Sequence, residues 1–146
     1  MTEEIKKIAN NLHACINQDC KMMDTCLRGQ IYSQRLENDD HISIVNPNHC
    51  TKDSLECPHY QTWEFVTFAY GFRNLLSVLP PAIFNKVRPT IYLHLGEKPY
   101  YKKRKGEMPI TPEEQEFITS TITSAGFTLA DNMAWFDRYE DHYRLK

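Results

Sequence analysis

The residues with the most chemistry in this chain are five cysteines between positions 15 and 57. Three fall close together in "CINQDCKMMDTCLR", as Cys15, Cys20 and Cys26, and two follow in "HCTKDSLECPHY", as Cys50 and Cys57. A structural zinc ion takes four thiolate or imidazole ligands tetrahedrally, with one group of ligands from a short loop and a second from elsewhere in the chain. Cys15-x4-Cys20-x5-Cys26 and Cys50-x6-Cys57 can supply that arrangement, with His13, His49 and His59 in reserve. The spacings are wider than the C-x2-C steps of zinc ribbons. An iron–sulfur cluster also takes four thiolates and is the alternative cofactor, with Cys57-Pro58 compatible with it. Buried free cysteines are a third reading, because Cys packs as a small hydrophobe. Polar neighbours such as Asn17, Gln18, Asp19 and Lys52 weigh against packing alone. The absence of C-x-x-C removes the usual device for depressing a thiol pKa, so redox or nucleophilic chemistry ranks lowest.

A second segment carries charge. "EKPYYKKRKGEMP" holds Lys98, Lys102, Lys103, Arg104 and Lys105, interleaved with Tyr100 and Tyr101, in a chain of net charge −2. Lysines and arginines neutralise phosphates and tyrosines stack on bases, so these seven residues are the candidate contact surface for DNA or RNA. A solvated basic loop is the plainer reading. Catalytic constellations are thin. Glu113, Glu114 and Glu116 fit the N-terminus of a helix, where the macrodipole favours acids. Asp137, Glu140 and Asp141 lie near His142, which makes an acid/base or metal site by composition only. No G-x-S-x-G, H-E-x-x-H or phosphate-cradling glycine loop is present. The expectation is a binding protein rather than an enzyme; a protein-interaction module with a structural zinc site is the runner-up, and a small metalloenzyme comes behind it.

The elements that must position these groups follow from pattern. The 146 residues fit one domain, with scarce glycine and a hydrophobic fraction of 41%, sufficient for a core. Ile5, Ile8 and Leu12 predict an amphipathic helix over 3–14. The span 15–60 reads as loop, with turns at 38–41 and 46–48 and a short strand at 42–45. The aromatic-rich 62–79 predicts a helix buried on most of its circumference. A further helix is expected over 82–95, ended by Gly96. Thr111, Pro112 and Glu114 announce a capped helix that stops at Gly126. The tail 135–146 is amphipathic and should dock on the core.

The fold class expected is mainly α: a single helical domain with an N-terminal loop-rich cysteine lobe, zinc-binding, over 1–61. The helical core then covers 62–146, with a basic helix-turn-helix-like segment at 82–126. The start "MTEEIKKIANNLHACI" lacks a signal-peptide pattern and no window approaches the ~18 apolar residues of a membrane span. A cytoplasmic protein with no membrane partner is the expectation, and in a reducing compartment clustered cysteines point to metal before disulfides.

Several stretches together carry a resemblance: Cys15, Cys20, "CLR" (26–28), "ISIVNP" (42–47), Cys50, "CPHY" (57–60), "AYGF" (69–72), "YYKKRKGEMPITPEEQ" (100–115) and "FDRYEDHYR" (136–144). The chain resembles a family of small five-cysteine proteins from Bacteroidales, classed as a domain of unknown function. The family pattern has Pro after the second cysteine where Lys21 stands, and a terminal Trp where Leu145 stands. The resemblance implies one complete protein and no particular activity. More locally, "LGEKPYYKKRKGEMPITPEEQEFI" is similar to bacterial helix-turn-helix regulators, with a Leu-Gly turn before an aromatic-basic helix and then a capped helix. That similarity implies a small regulator.

Overall fold

The structure, a computed structural model, describes residues 1–50 and 56–146. Residues 51–55, Lys52 included, lie outside the described residues. The chain divides into two compact units, Met1–Phe65 with Tyr143–Lys146, and Val66–His142.

In the first unit, α1 (Glu3–Ala9) starts at Thr2, whose hydroxyl accepts from the Ile5 N–H. It ends earlier than its periodicity predicts, where Asn10 and Asn11 compete for backbone hydrogen bonds. Its free carbonyls are met by a side chain from another helix, α2 (Leu27–Asn38). The Arg35 guanidinium donates to the carbonyls of Leu12 (2.7 Å), Asn10 (2.8 Å) and Ala9 (3.3 Å). A guanidinium suits this position because it supplies several donors and complements the negative end of the helix dipole. Two turns earlier Arg28 donates to the His13 carbonyl at 2.9 Å.

The helix α2 corrects the expectation of unbroken loop over 15–60. Its apolar stripe is short, Leu27 and Ile31, and Leu36 faces solvent, so the helical period is faint in sequence. Gly29 adds to the disguise, since glycine is a poor helix former. It is needed for close approach: a Cβ there would fall 2.4 Å from the Met23 sulfur. The strand expected at 42–45 is reduced to a parallel bridge between Ala14 and Ile44, and Pro47–His49 forms a single 3-10 turn.

The second unit holds a larger interior. Helix α3 (Arg73–Val78) leads to α4 (Pro81–Leu95), and Gly96 alone joins α4 to α5 (Glu97–Lys105). Gly106, in the left-handed conformation at φ 83°, closes α5 and gives way to α6 (Pro112–Ser124). Phe72, Ile91, Tyr100, Ile110, Ile118 and Ile122 are fully buried among these elements. The capping box expected at α6 is present: Glu114 N–H donates to the Thr111 hydroxyl, and the Thr111 N–H donates to the Glu114 carboxylate.

The described residues are mostly helical, with one two-stranded antiparallel sheet among them, β1 (Trp63–Tyr70) and β2 (Arg138–Leu145). This corrects the helix expected over 62–79, where β1 and the short α3 stand instead, and the tail is a strand. In β1 the more covered residues alternate with exposed ones, a period of two that the density of aromatics hid. β-Branched and aromatic side chains suit such a pleated, half-covered surface. Charge pairs hold the ribbon. Glu64 meets Arg144 at 2.6 Å, which holds the Glu64 carboxyl below its usual range, and the Arg138 guanidinium lies 4.1 Å from the centre of the Tyr70 ring.

The Lys103 ammonium is buried and donates to both Glu114 oxygens, fixing α5 to the first turn of α6. Removing one partner leaves the other charge uncompensated. Glu114→Ala should therefore destabilise the protein by about 3 kcal/mol, the loss of the cap included. Glu116→Ala, on the exposed side of the same helix, should stay within about 0.5 kcal/mol. Urea unfolding of the two variants checks both values.

Candidate metal centre

Cys15 begins where the Ala14–Ile44 bridge ends, with its N–H given to the Arg28 carbonyl at 2.8 Å. The chain then turns back: Cys20 N–H donates to the Asn17 carbonyl (3.0 Å), and Met23 N–H to the Cys20 carbonyl (3.0 Å). Cys26 sits at the N-cap of α2, and among the described residues its thiol makes no capping bond. The Leu27 N–H donates to the Gln61 carbonyl at 2.7 Å, which brings the segment after Cys57 against the start of α2. Cys50 ends the 3-10 turn, its N–H on the Pro47 carbonyl. Backbone hydrogen bonds thus fix the chain at Cys15, Cys20 and Cys50.

These turns place all five cysteines on one small cavity of about 20 Å³, partly open to solvent. Cys15, Cys20, Cys26, Cys50 and Cys57 line it, with Met22, Met23, Tyr60 and the edge of Gly29. Of the three histidines in reserve, His59 is on its described lining and His13 and His49 are not. All five thiols are free, four half-buried and Cys26 buried. Among the described residues no three His, Cys, Asp or Glu side chains close into a group that holds an ion. The thiols line a shared space without converging on one point.

The Cys50 thiol neighbours those of Cys15 and Cys57. Burial, and then the neighbouring Cys15 and Cys57 thiols, push its pKa up to about 11. Sulfurs packed together away from a cation resist ionising, because each thiolate would meet another. The folded metal-free form therefore holds this proton more tightly than the unfolded chain. Its contribution to stability is whole below the unfolded thiol value of about 8.5 and is lost as pH rises toward about 11.

The seven residues of the basic segment divide. Tyr100 and Lys103 are inside, the first within the aromatic group of Phe72 and Tyr92, the second on Glu114. Neither is placed to touch a nucleic acid. Lys98, Tyr101, Lys102 and Lys105 are exposed, and Arg104 is half-buried. The exposed four stand at i, i+3, i+4 and i+7 of α5, on one face. The acidic residues near the C-terminus separate as well. Asp137 accepts from Asn74 at 3.1 Å, Asp141 accepts from the Thr67 hydroxyl at 2.6 Å, and Glu140 takes Arg138 and His142. Each carboxylate thus has a local structural partner.

Sequence reasoning singled out the five cysteines but missed Asn17, Met22, Met23 and Tyr60 on the same cavity. The signal available was position alone, since Asn17 lies between two of the cysteines.

In metal-free, reduced protein the high pKa of Cys50 should leave only about 0.1% of it as thiolate at pH 8. Differential alkylation read by mass spectrometry should find Cys50 slow to react, and fast once the protein is unfolded.

A family model, described as a family of unknown function (DUF6078), matches residues 1–145, so the chain belongs to that family. No curated protein matches the chain. No solved structure matches it either.

Proposed function

We propose that this DUF6078 protein is metal-stabilised, its first unit organised by a zinc ion held by four of Cys15, Cys20, Cys26, Cys50 and Cys57. The observation that carries the reading is that all five thiols, drawn from separate turns of the chain, line one cavity. The Cys50 thiol neighbours those of Cys15 and Cys57, which supports it, since a dication that takes the place of their protons offsets the repulsion between the thiolates. A shell made only of thiolates is closed, which suits a structural role better than a catalytic one.

A second reading concerns α5. The exposed face of Lys98, Tyr101, Lys102 and Lys105 carries three positive charges and one partly exposed ring, packed edge-on against Tyr92 and Tyr100. Charge gathered on one helix face favours a nucleic-acid partner over a general protein-interaction surface. The metal-organised unit and the basic helix together describe a small regulator.

Elemental analysis of protein purified without added metal should find about one zinc per chain. Chelation should lower stability by about 3 kcal/mol, the amount expected for a ligand at a hundredfold excess over its Kd. Brown colour and iron in place of zinc would select the cluster alternative, and absence of both metals with stability untouched by chelator would overturn the reading. For α5, the triple change Lys98→Ala, Lys102→Ala, Lys105→Ala should weaken single- or double-stranded nucleic-acid binding about tenfold or more. It should also reduce the salt slope by about two to three. Equal binding before and after the change contradicts that surface.

A further inference from the structure

The cavity has one feature that the thiols do not explain. Asn17 lines it, and the side-chain nitrogen of Asn17 is buried with no hydrogen-bond partner among the described residues. Buried amide N–H groups are almost always paired, because leaving one bare forfeits its hydration with nothing in exchange. Asn17 is held there by its neighbours: its own carbonyl accepts the Cys20 N–H, and Gln18 N–H donates to the Ile16 carbonyl. Neither His59 nor Tyr60, the polar side chains on the described lining, accepts from it, and what remains is sulfur. Sulfur of a neutral thiol is a weak acceptor, as is the sulfur of Met22 or Met23. A thiolate bound to a metal is a strong one, because it keeps much of its negative charge.

We propose that Asn17 is a positioning residue of the metal centre, donating its side-chain N–H to a metal-bound thiolate of this cavity. The inference rests on the zinc reading and adds to it a residue that touches the ligand sulfur and not the metal. Donors of this kind disperse charge from the thiolates, fix their orientation and hold the site shut; their loss typically weakens metal binding by about 10–100-fold. The same group is a liability in the metal-free form, where it stays bare. Asn17 therefore has opposite effects in the two states, and a merely structural asparagine does not.

The test compares wild type with Asn17→Leu, which keeps the approximate size and removes the donor. Zinc affinity is measured by competition with a chromophoric chelator, the melting temperature of the metal-free form by circular dichroism, and the thiolate environment by the charge-transfer bands of the Co2+-substituted protein. The expected result is zinc affinity reduced about tenfold or more, a metal-free form at least as stable as wild type, and shifted Co2+–thiolate bands. Should the leucine variant not fold, Asn17→Ala is read on the same affinity and Co2+ measurements. Unchanged affinity and unchanged bands in a wild type that does bind metal would overturn the role of Asn17 alone. A wild type that takes up neither Zn2+ nor Co2+ would overturn the metal centre and this inference together.

Discussion

The constraint on which the first unit depends is its shortage of apolar interior. Its packed cluster is Ala9, Ala14 and Ile31, with Leu12, Tyr32 and Ile42 leaning on it; Ile5, Leu27 and Val45 are also buried. Two of the three central residues are alanines, which bury little area, and burial is worth only about 25 cal/mol per Å². A unit of this size with so small a core needs another source of cohesion. Arg35 and Arg28 supply part of it by tying the end of α1 to α2 through backbone carbonyls. The gathered cysteines are the remaining candidate, and none of the cluster's residues is on the described lining of their cavity. The second unit has no such need. Leucines, isoleucines and aromatic rings fill it, and polar groups there do local work, as when Lys103 locks α5 onto the cap of α6.

That lock also reshapes the account of the basic segment. Seven residues of matching chemistry in a row read as one surface, yet a helix distributes them around its circumference. Tyr100 and Lys103 face the interior, so the face available to a partner is Lys98, Tyr101, Lys102 and Lys105. Leu93 and Tyr92 on α4 lie beside Tyr101 in a shallow groove with Arg88, which extends the aromatic and basic character past α5.

Legibility in the sequence followed the strength of local signals. The helix at 112–124 was plain because Thr111, Pro112 and Glu114 announce it by backbone chemistry that no tertiary context overrides. Gly96 marks the end of α4 for the same reason. The stretch 63–70 was misread because an aromatic-rich segment satisfies both periods. Its pairing with 138–145 is a contact between distant parts of the chain that no local pattern reveals. The helix at 27–38 was hidden by Gly29 and by an apolar stripe only two residues long. For the site, residue type picked out the cysteines, while their sharing of one cavity, the exclusion of His13 and His49 from its lining and the bare amide of Asn17 became visible only once the turns were in place.

The central claim is that thiolates of the first unit bind zinc as a closed shell. X-ray absorption at the zinc edge, on protein purified without added metal, measures it most directly. The account predicts a first shell of four sulfurs at about 2.3 Å. A shell dominated by nitrogen or oxygen near 2.0 Å, or no zinc edge from a folded protein, would contradict it.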